Sequence, residues 1–482
     1  MPPQLILALL AIGAAGALGG PNLPLDRPYT LLNQEPARLE AEYGRMIAGQ
    51  AAQSFLFPRP CRTEIDPARD CGDPGGFAFV DSARGRNLHL SPIGGYEYRY
   101  LGSNVHAADL GIVTEGGSGP LSFYLDARMF MERYEDLYHE SYDREFVERQ
   151  NETASGSVAY TSYSRYRSNL DYDWNWGRLS VARDAVHWGP GLFTNLVFQQ
   201  DAIPFNQVSY TTHLGPLTVQ SLYGQLAASN DWEFDTASSS KSMYAHRYEW
   251  RAAQNLTLGV SEQLILYKVS APFAFVPVIP LFIAKASEKE RLNNGNIAAD
   301  FAYRIRGLGM IYSEFLIDDI QSPTALFNDV WSNKWAWMAG VHAIRDFGGT
   351  RSGLVMEYSR VEPWVYTHYL PHTAQTAHQD YPLGNPYGPN SQVVVTDAYI
   401  GHPGKWRTAV TLSAVWKGRD LGSSIEDVHL NGENEGKEFL AGVHPRLHVK
   451  PSGWYALDRH AAYVLFDFGG ATRVSAGYQF RY

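Results

Sequence analysis

The chain's clearest signal is an alternation of apolar and polar positions with a period of two. In "LSFYLDARMFM", Leu121, Phe123, Leu125, Ala127, Met129 and Met131 fall on one side, and Asp126 and Arg128 on the other. The same rhythm sets Tyr96, Tyr98 and Tyr100 against Glu97 and Arg99, and Phe301, Tyr303 and Ile305 against Asp300 and Arg304. It returns where Val410, Leu412, Ala414 and Trp416 oppose Thr411 and Ser413. Successive side chains of a strand point to opposite faces, so each segment predicts a strand with one greasy and one wet face. At the end of the chain Val474, Ala476, Tyr478, Phe480 and Tyr482 share a face, while Arg473, Ser475, Gln479 and Arg481 take the other.

The spacing between these segments carries the next inference. Short connections fall near 116–119, 174–177, 214–216, 254–255, 307–309, 347–350, 402–404 and 451–453, and longer ones near 133–156, 185–204, 229–242, 270–296, 319–332, 363–391 and 418–436. Short periplasmic turns and long outer loops characterise bacterial outer-membrane barrels, whose final strands resemble this one in ending on an aromatic residue. The expectation is an all-β transmembrane protein: an antiparallel barrel of about eighteen strands over 94–482, with both ends on the periplasmic side. Upstream the period changes. Between 33 and 53, Leu39, Tyr43, Met46 and Ile47 share a helical face behind Pro36, so 20–93 is expected as a small periplasmic helical region or plug. Residues 5–18 form an apolar core before Ala17-Leu18-Gly19, predicting a signal peptide over 1–19, although the first basic residue is Arg27.

Composition agrees with a membrane setting. Mean hydropathy is −0.28, yet the chain holds 30 Tyr, 12 Trp and 22 Phe, side chains that suit membrane-water interfaces. The long apolar run at 271–284 contains Pro272, Pro277 and Pro280, which rule out a membrane-spanning helix. A net charge of −10 argues against a nucleic-acid partner. The two cysteines, Cys61 and Cys71, are expected to form one disulfide in an exported chain, stabilising it by roughly 2 to 3 kcal/mol. A cysteine pair alone does not fill a tetrahedral zinc site.

One stretch conflicts with its place in the pattern. "HWGPGLFTNLVFQQDAIPF", residues 187–205, lies where an outer loop belongs but is mostly apolar. Such a loop in open water would be a sticky patch, so it is expected to fold inward and help close the lumen. Trp188 and Phe205 would be buried anchors, Gly189 and Gly191 would permit a tight corner, Pro190 would stiffen it, and Pro204 would close the segment.

Extended over "RDAVHWGPGLFTNLVFQQDAIPFNQV", the same stretch resembles the central signature of the Wzi-type capsule assembly proteins. "NNGNIAADFAYRIRGLGMIYSEFLIDD", with Glu314, Asp318 and Asp319, is similar to that family's Asn-rich strand pair. "NKWAWMAGV", "VYTHYL" and "YPLGNPYGPNSQ" follow in the family's order. "FQQDA" departs from the family's more usual Ser-Asn-Asn-like stretch, and "FPRPCRTEI" adds a cysteine. The resemblance implies a monomeric outer-membrane lectin, surrounded by lipid and lipopolysaccharide, that holds capsular or extracellular polysaccharide at the cell surface. A porin or sugar-uptake channel is the alternative, because eighteen strands enclose a lumen wide enough to stay wet.

For a lectin, sugar faces would stack on aromatic rings while amides bond the hydroxyls. In the loop from 364 to 390 the candidates are Trp364, Tyr366, His368, Tyr369, Tyr381, Asn385, Tyr387 and Asn390, which could equally pack that loop against its neighbours. Neither metal nor cofactor is expected. His368, His372 and His378 are broken up by Pro371 and Pro382, and the acidic stretch around Glu426 lacks calcium-loop spacing. Nor is an enzyme expected: the His89/Ser91 and His139/Ser141 pairs have no orienting third group.

Overall fold

The computed structural model describes residues 77 to 481, apart from 82–84, 101–102, 136–152, 156–157, 200–201, 228–240, 282–292, 306–308, 403–404, 430–435, 458–459 and the single positions 254, 269, 279, 321, 323, 325, 349, 371 and 470. Eighteen strands form a closed wall. The first nine are Arg86–Tyr100 (β1), Asn104–Ser118 (β2), Leu121–Tyr134 (β3), Val158–Trp174 (β4), Gly177–Asp184 (β5), Phe205–Leu214 (β6), Leu217–Leu226 (β7), Lys241–Ala253 (β8) and Leu256–Tyr267 (β9). The second nine are Asn293–Ile305 (β10), Gly309–Asp319 (β11), Lys334–Phe347 (β12), Thr350–Val361 (β13), Ser391–His402 (β14), Trp406–Lys417 (β15), Arg446–Leu457 (β16), His460–Gly469 (β17) and Ala471–Arg481 (β18). Each is antiparallel to its neighbours, and β18 pairs with β1 from Ile93↔Arg481 to Tyr100↔Val474. Closure pairs the first strand with the last, so the sheet has no free edge strand of the kind that lipid would not tolerate.

The alternation resolves into two faces. Tyr96, Met129, Met131, Phe301, Val410, Leu412, Tyr478 and Phe480 are exposed on the outside. Inside, charged side chains are buried in pairs. Arg99 meets Glu132 at 2.6 Å, Arg247 holds Asp300 through two bonds of 2.7 and 3.0 Å, and Arg407 meets Asp397 at 2.8 Å. Buried charges of this kind require such partners, because a lone one would carry its full desolvation cost.

Two sequence boundaries are corrected. The wall begins at Arg86 rather than 94, and Phe77–Asp81 pairs with its first residues from Phe77↔Leu90 to Asp81↔Arg86. Pro92 disguised this start. It sits between the last residue paired by Phe77–Asp81 and the first paired by β18, at Ile93, a position where a proline is tolerated in a sheet. The turn expected at 451–453 lies inside β16, where Pro451 opposes Val410. β16 continues to Leu457 and β17 begins at His460; their pairing starts only at Ser452↔Leu465, so Pro451 faces no strand on that side. Two hairpins absent from the expected connections, β1 with β2 and β17 with β18, bring the count to eighteen. The expected signal peptide, the helical pattern over 33–53, and Cys61 and Cys71 lie outside the described residues.

Candidate functional site: the closed outer mouth

The stretch 185–204 leaves β5, enters the lumen, and returns to β6. It doubles back on itself, with Trp188 bridging Phe198 and their rings edge-on at 4.9 Å. Gly189 has φ +96°, a conformation that L side chains rarely adopt. At Gly191 an added Cβ would lie 2.3 Å from Asn195 Oδ1 and 2.5 Å from Met338 Cε, so the corner has no space for one. Trp188, Pro190, Pro204 and Phe205 are buried. With Leu196, Val197 and Phe198, the two aromatic anchors join a core that includes Leu222 of β7, Met243 of β8, Ile265 of β9, Leu316 of β11 and Met338 of β12. The apolar cluster ties these loop residues to the inner face of β7 to β13.

A loop inside a barrel must still satisfy its backbone. Glu357 of β13 accepts from the Leu192 N–H at 2.5 Å, the Phe193 N–H at 3.0 Å and the Thr194 hydroxyl at 2.8 Å. Glu314 of β11 accepts from the Leu196 N–H at 2.7 Å. Gln263 donates to the Val197 carbonyl at 3.2 Å, and the Trp188 indole donates to Gln220 at 2.8 Å. Inward polar residues of the wall thus take the place of water along the loop.

The second loop, 362–390, packs on the first. Tyr366 is the link: its N–H donates to Asp318 of β11 at 2.8 Å, its hydroxyl donates to the Leu196 carbonyl at 2.8 Å, and the same hydroxyl accepts the Asn385 N–H at 3.1 Å. Burial raises the Tyr366 hydroxyl pKa above its ordinary value. Lys241 of β8 donates to the Ala377 and Gln375 carbonyls at 2.7 and 3.3 Å. Beside it, His378 accepts the Ala227 N–H through Nδ1 at 2.9 Å. Burial, with Lys241 and Arg183 nearby, pushes His378 down to about 3. It is therefore neutral at physiological pH.

The sugar candidates separate by this packing. Tyr369 is 40% exposed, and Tyr381 and Tyr387 are half-buried. Trp364, Tyr366, His368, Asn385 and Asn390 are buried. Asn385 donates to Ser359 at 3.1 Å, and Asn390 donates to Ser423 at 2.9 Å and accepts the Leu440 N–H at 2.9 Å. Tyr366, Asn385 and Asn390, expected as sugar contacts, direct their polar atoms to neighbouring loop and wall residues. Trp364 lies beneath a surface stack in which Trp331 and His429 are parallel at 4.0 Å. The three loop histidines do not converge. His372 instead lies 3.6 Å from Asp380, and with Glu426 their ligand atoms fall within 4.8 Å of one another where two outer loops meet. Sequence reading missed Trp331 and His429, which lie in different loops, and Glu357, which looks like any inward polar residue.

A closed antiparallel barrel of eighteen strands with an apolar band outside defines an outer-membrane β-barrel. The chain belongs to the capsule assembly protein Wzi family, which its residues 134–400 match. Its place is the outer membrane of a Gram-negative bacterium. Among solved structures it is similar to Wzi of Escherichia coli, an outer-membrane protein involved in group 1 capsule assembly and described as a carbohydrate-binding β-barrel. The TM-score is 0.51 at 13% identity, over 81% of this chain and 84% of that one. It is also similar to opdK of Pseudomonas aeruginosa, with a TM-score of 0.43 at 11% identity, over 82% of this chain and 99% of that one. OccAB2 of Acinetobacter baumannii gives 0.44 at 9% identity, over 82% and 98%. At these identities the likeness concerns the fold. No curated protein matches the sequence.

Proposed function

We propose that this protein is a surface lectin that holds capsular or extracellular polysaccharide on the outer membrane and so assists capsule assembly, acting by binding rather than catalysis and as a monomer. The observation that supports the reading is the packing of 185–204 and 362–390 on each other and on inward residues of the wall, clamped by Glu314, Glu357 and Asp318, which we read as closing the lumen. A barrel whose interior is packed as a core serves through its outer surface. The carbohydrate-binding description of the similar Escherichia coli protein supports the same reading. Tyr369, Tyr381 and Tyr387, with the Trp331–His429 stack, are the aromatic side chains that we assign to sugar contact, because they keep exposure to solvent in the outer loops. The uptake-channel alternative requires a wet path through the region that the two loops fill.

The test is binding of the purified protein to capsular polysaccharide, measured beside its conductance in planar bilayers. Retention of polysaccharide with little or no conductance is expected. Steady porin-like conductance without polysaccharide binding would refute the proposal.

A further inference from the structure

The apolar run over 271–284 takes no part in the closure. Its described part turns the other way, over the outside of the wall. On β8, Met243 and Ala245 join the core within the lumen, so Tyr244, His246 and Tyr248 face outward. The same alternation on β7 and β9 turns Ser221, Tyr223, Glu262, Leu264 and Leu266 outward. Ser221, His246 and Leu264 are nevertheless fully buried. They are covered by a 3-10 turn, Pro272–Phe275, and the residues after it.

The depth of this contact identifies what surrounds it. His246 stands four residues from the exposed Trp250 on the same strand face, toward the outer end. With strands tilted about 40°, that is on the order of 10 Å of depth in an apolar band about 25 Å tall. Ile297, the register partner of Glu262 on β10, is 45% exposed on the same face.

Irregular backbone lies in hydrocarbon only when its polar groups are satisfied by protein, and several of those in this segment are. Ser221 donates to the Phe275 carbonyl, Tyr248 donates to the Pro277 carbonyl at 2.5 Å, and Glu262 accepts the Leu281 N–H at 2.8 Å. Inside the segment the Ala274 N–H donates to the Ala271 carbonyl at 2.8 Å and the Val276 N–H to the Phe273 carbonyl at 3.0 Å. Pro272, Pro277 and Pro280 have no N–H to satisfy. His246 pairs with Glu262 at 3.0 Å and fixes that carboxylate. The polar outward residues of the wall, costly against lipid on their own, are latches for the segment. Its far side presents Phe273, 80% exposed, and Val278, 81% exposed.

We propose that residues 271–281 are docked in the outer leaflet and form a contact surface for the acyl chains of outer-membrane lipid, with Phe273, Val276 and Val278 in direct contact. Ser221, His246 and Glu262 are register partners across three strands, an order that acyl hydrolases also use. Ser221, however, gives its proton to the Phe275 carbonyl, which favours the latch.

The test uses nitroxide labels on Phe273→Cys and Val278→Cys in the full-length protein in liposomes, with unsubstituted protein giving any background from Cys61 and Cys71. Ser424→Cys, on an exposed outer loop, serves as the aqueous reference. The expected result is that oxygen relaxes the labels at 273 and 278 several-fold more than aqueous nickel chelate does, with the reverse at 424. Removing the latches with Tyr248→Phe and Ser221→Ala should move 273 and 278 toward the behaviour of 424. Greater nickel accessibility at 273 and 278 in the unaltered latch background would overturn the proposal. So would covalent capture of Ser221 by a fluorophosphonate, which would make this face a reactive site rather than a fixed dock.

Discussion

Glu357 concentrates the residue-scale chemistry of the closure, because one carboxylate answers three groups of 185–204 and also accepts the Tyr312 hydroxyl at 2.8 Å. Glu357→Ala would take the acceptor from two half-buried N–H groups and from the buried Thr194 and Tyr312 hydroxyls, at a cost of about 3 kcal/mol or more. The variant is expected to conduct in planar bilayers and to lose its heat-modifiable gel shift at lower temperature than the parent. Gly191→Val belongs to the same scale. Its side chain would meet Asn195 and Met338, and overpacking of this kind costs about 1 to 3 kcal/mol. Raised conductance is expected, and a variant as silent as the parent would show that the corner has slack. Trp364, Tyr366, His372, Gln379, Asp380 and Asn390 all adopt positive φ within one loop, a conformation that persists only where packing over-determines it.

At the scale of the element, loop 362–390 carries a titratable contact in His378. Its pKa falls from 6.5 in water to about 3 in the docked loop, so the undocked loop binds more protons wherever the two states differ. Stability of docking is complete above about pH 6.5 and is lost progressively as pH falls toward 3. Conductance should therefore rise on acidification across that window, and His378→Asn, which retains an acceptor for the Ala227 N–H, should flatten the response. An identical profile in parent and variant would assign the acid sensitivity elsewhere. For sugar binding, Tyr369→Ala should weaken polysaccharide retention several-fold without opening a pore, since Tyr369 is exposed and outside the lumen core. Tyr366→Phe should act oppositely, loosening the contact between the two loops through its lost bond to the Leu196 carbonyl.

For the whole molecule, the eighteen-strand wall and the lumen core are one construction. Large barrels of this strand number leave space inside, and here paired charges and two loops occupy it. The expected behaviour in detergent is a heat-modifiable monomer with β-rich circular dichroism. A protein soluble without detergent would contradict the exposed apolar band formed by residues such as Met129, Met131, Leu412 and Phe480.

Strand number and sidedness were legible because period-two alternation and connection length are local properties. "LSFYLDARMFM" and the final strand each declare a face without reference to any other residue. That 187–205 avoids water was legible too, because an apolar loop conflicts with water wherever it lies. The start at Arg86 and the end of β16 were not, since Pro92 and Pro451 look like breaks until it is known which neighbouring strand is missing beside them. Only the tertiary structure decided that Glu314, Glu357 and Asp318 converge on loop backbone, and that Tyr366 and Asn385 are buried while Tyr369 is exposed. It also decided that 271–281 lies outside the wall while 185–204 lies inside, although both are apolar in sequence. The physical reason is that hydrophobicity states only that a segment avoids water. Which dry place it finds, core or lipid, is set by where distant strands put the groups that satisfy its backbone.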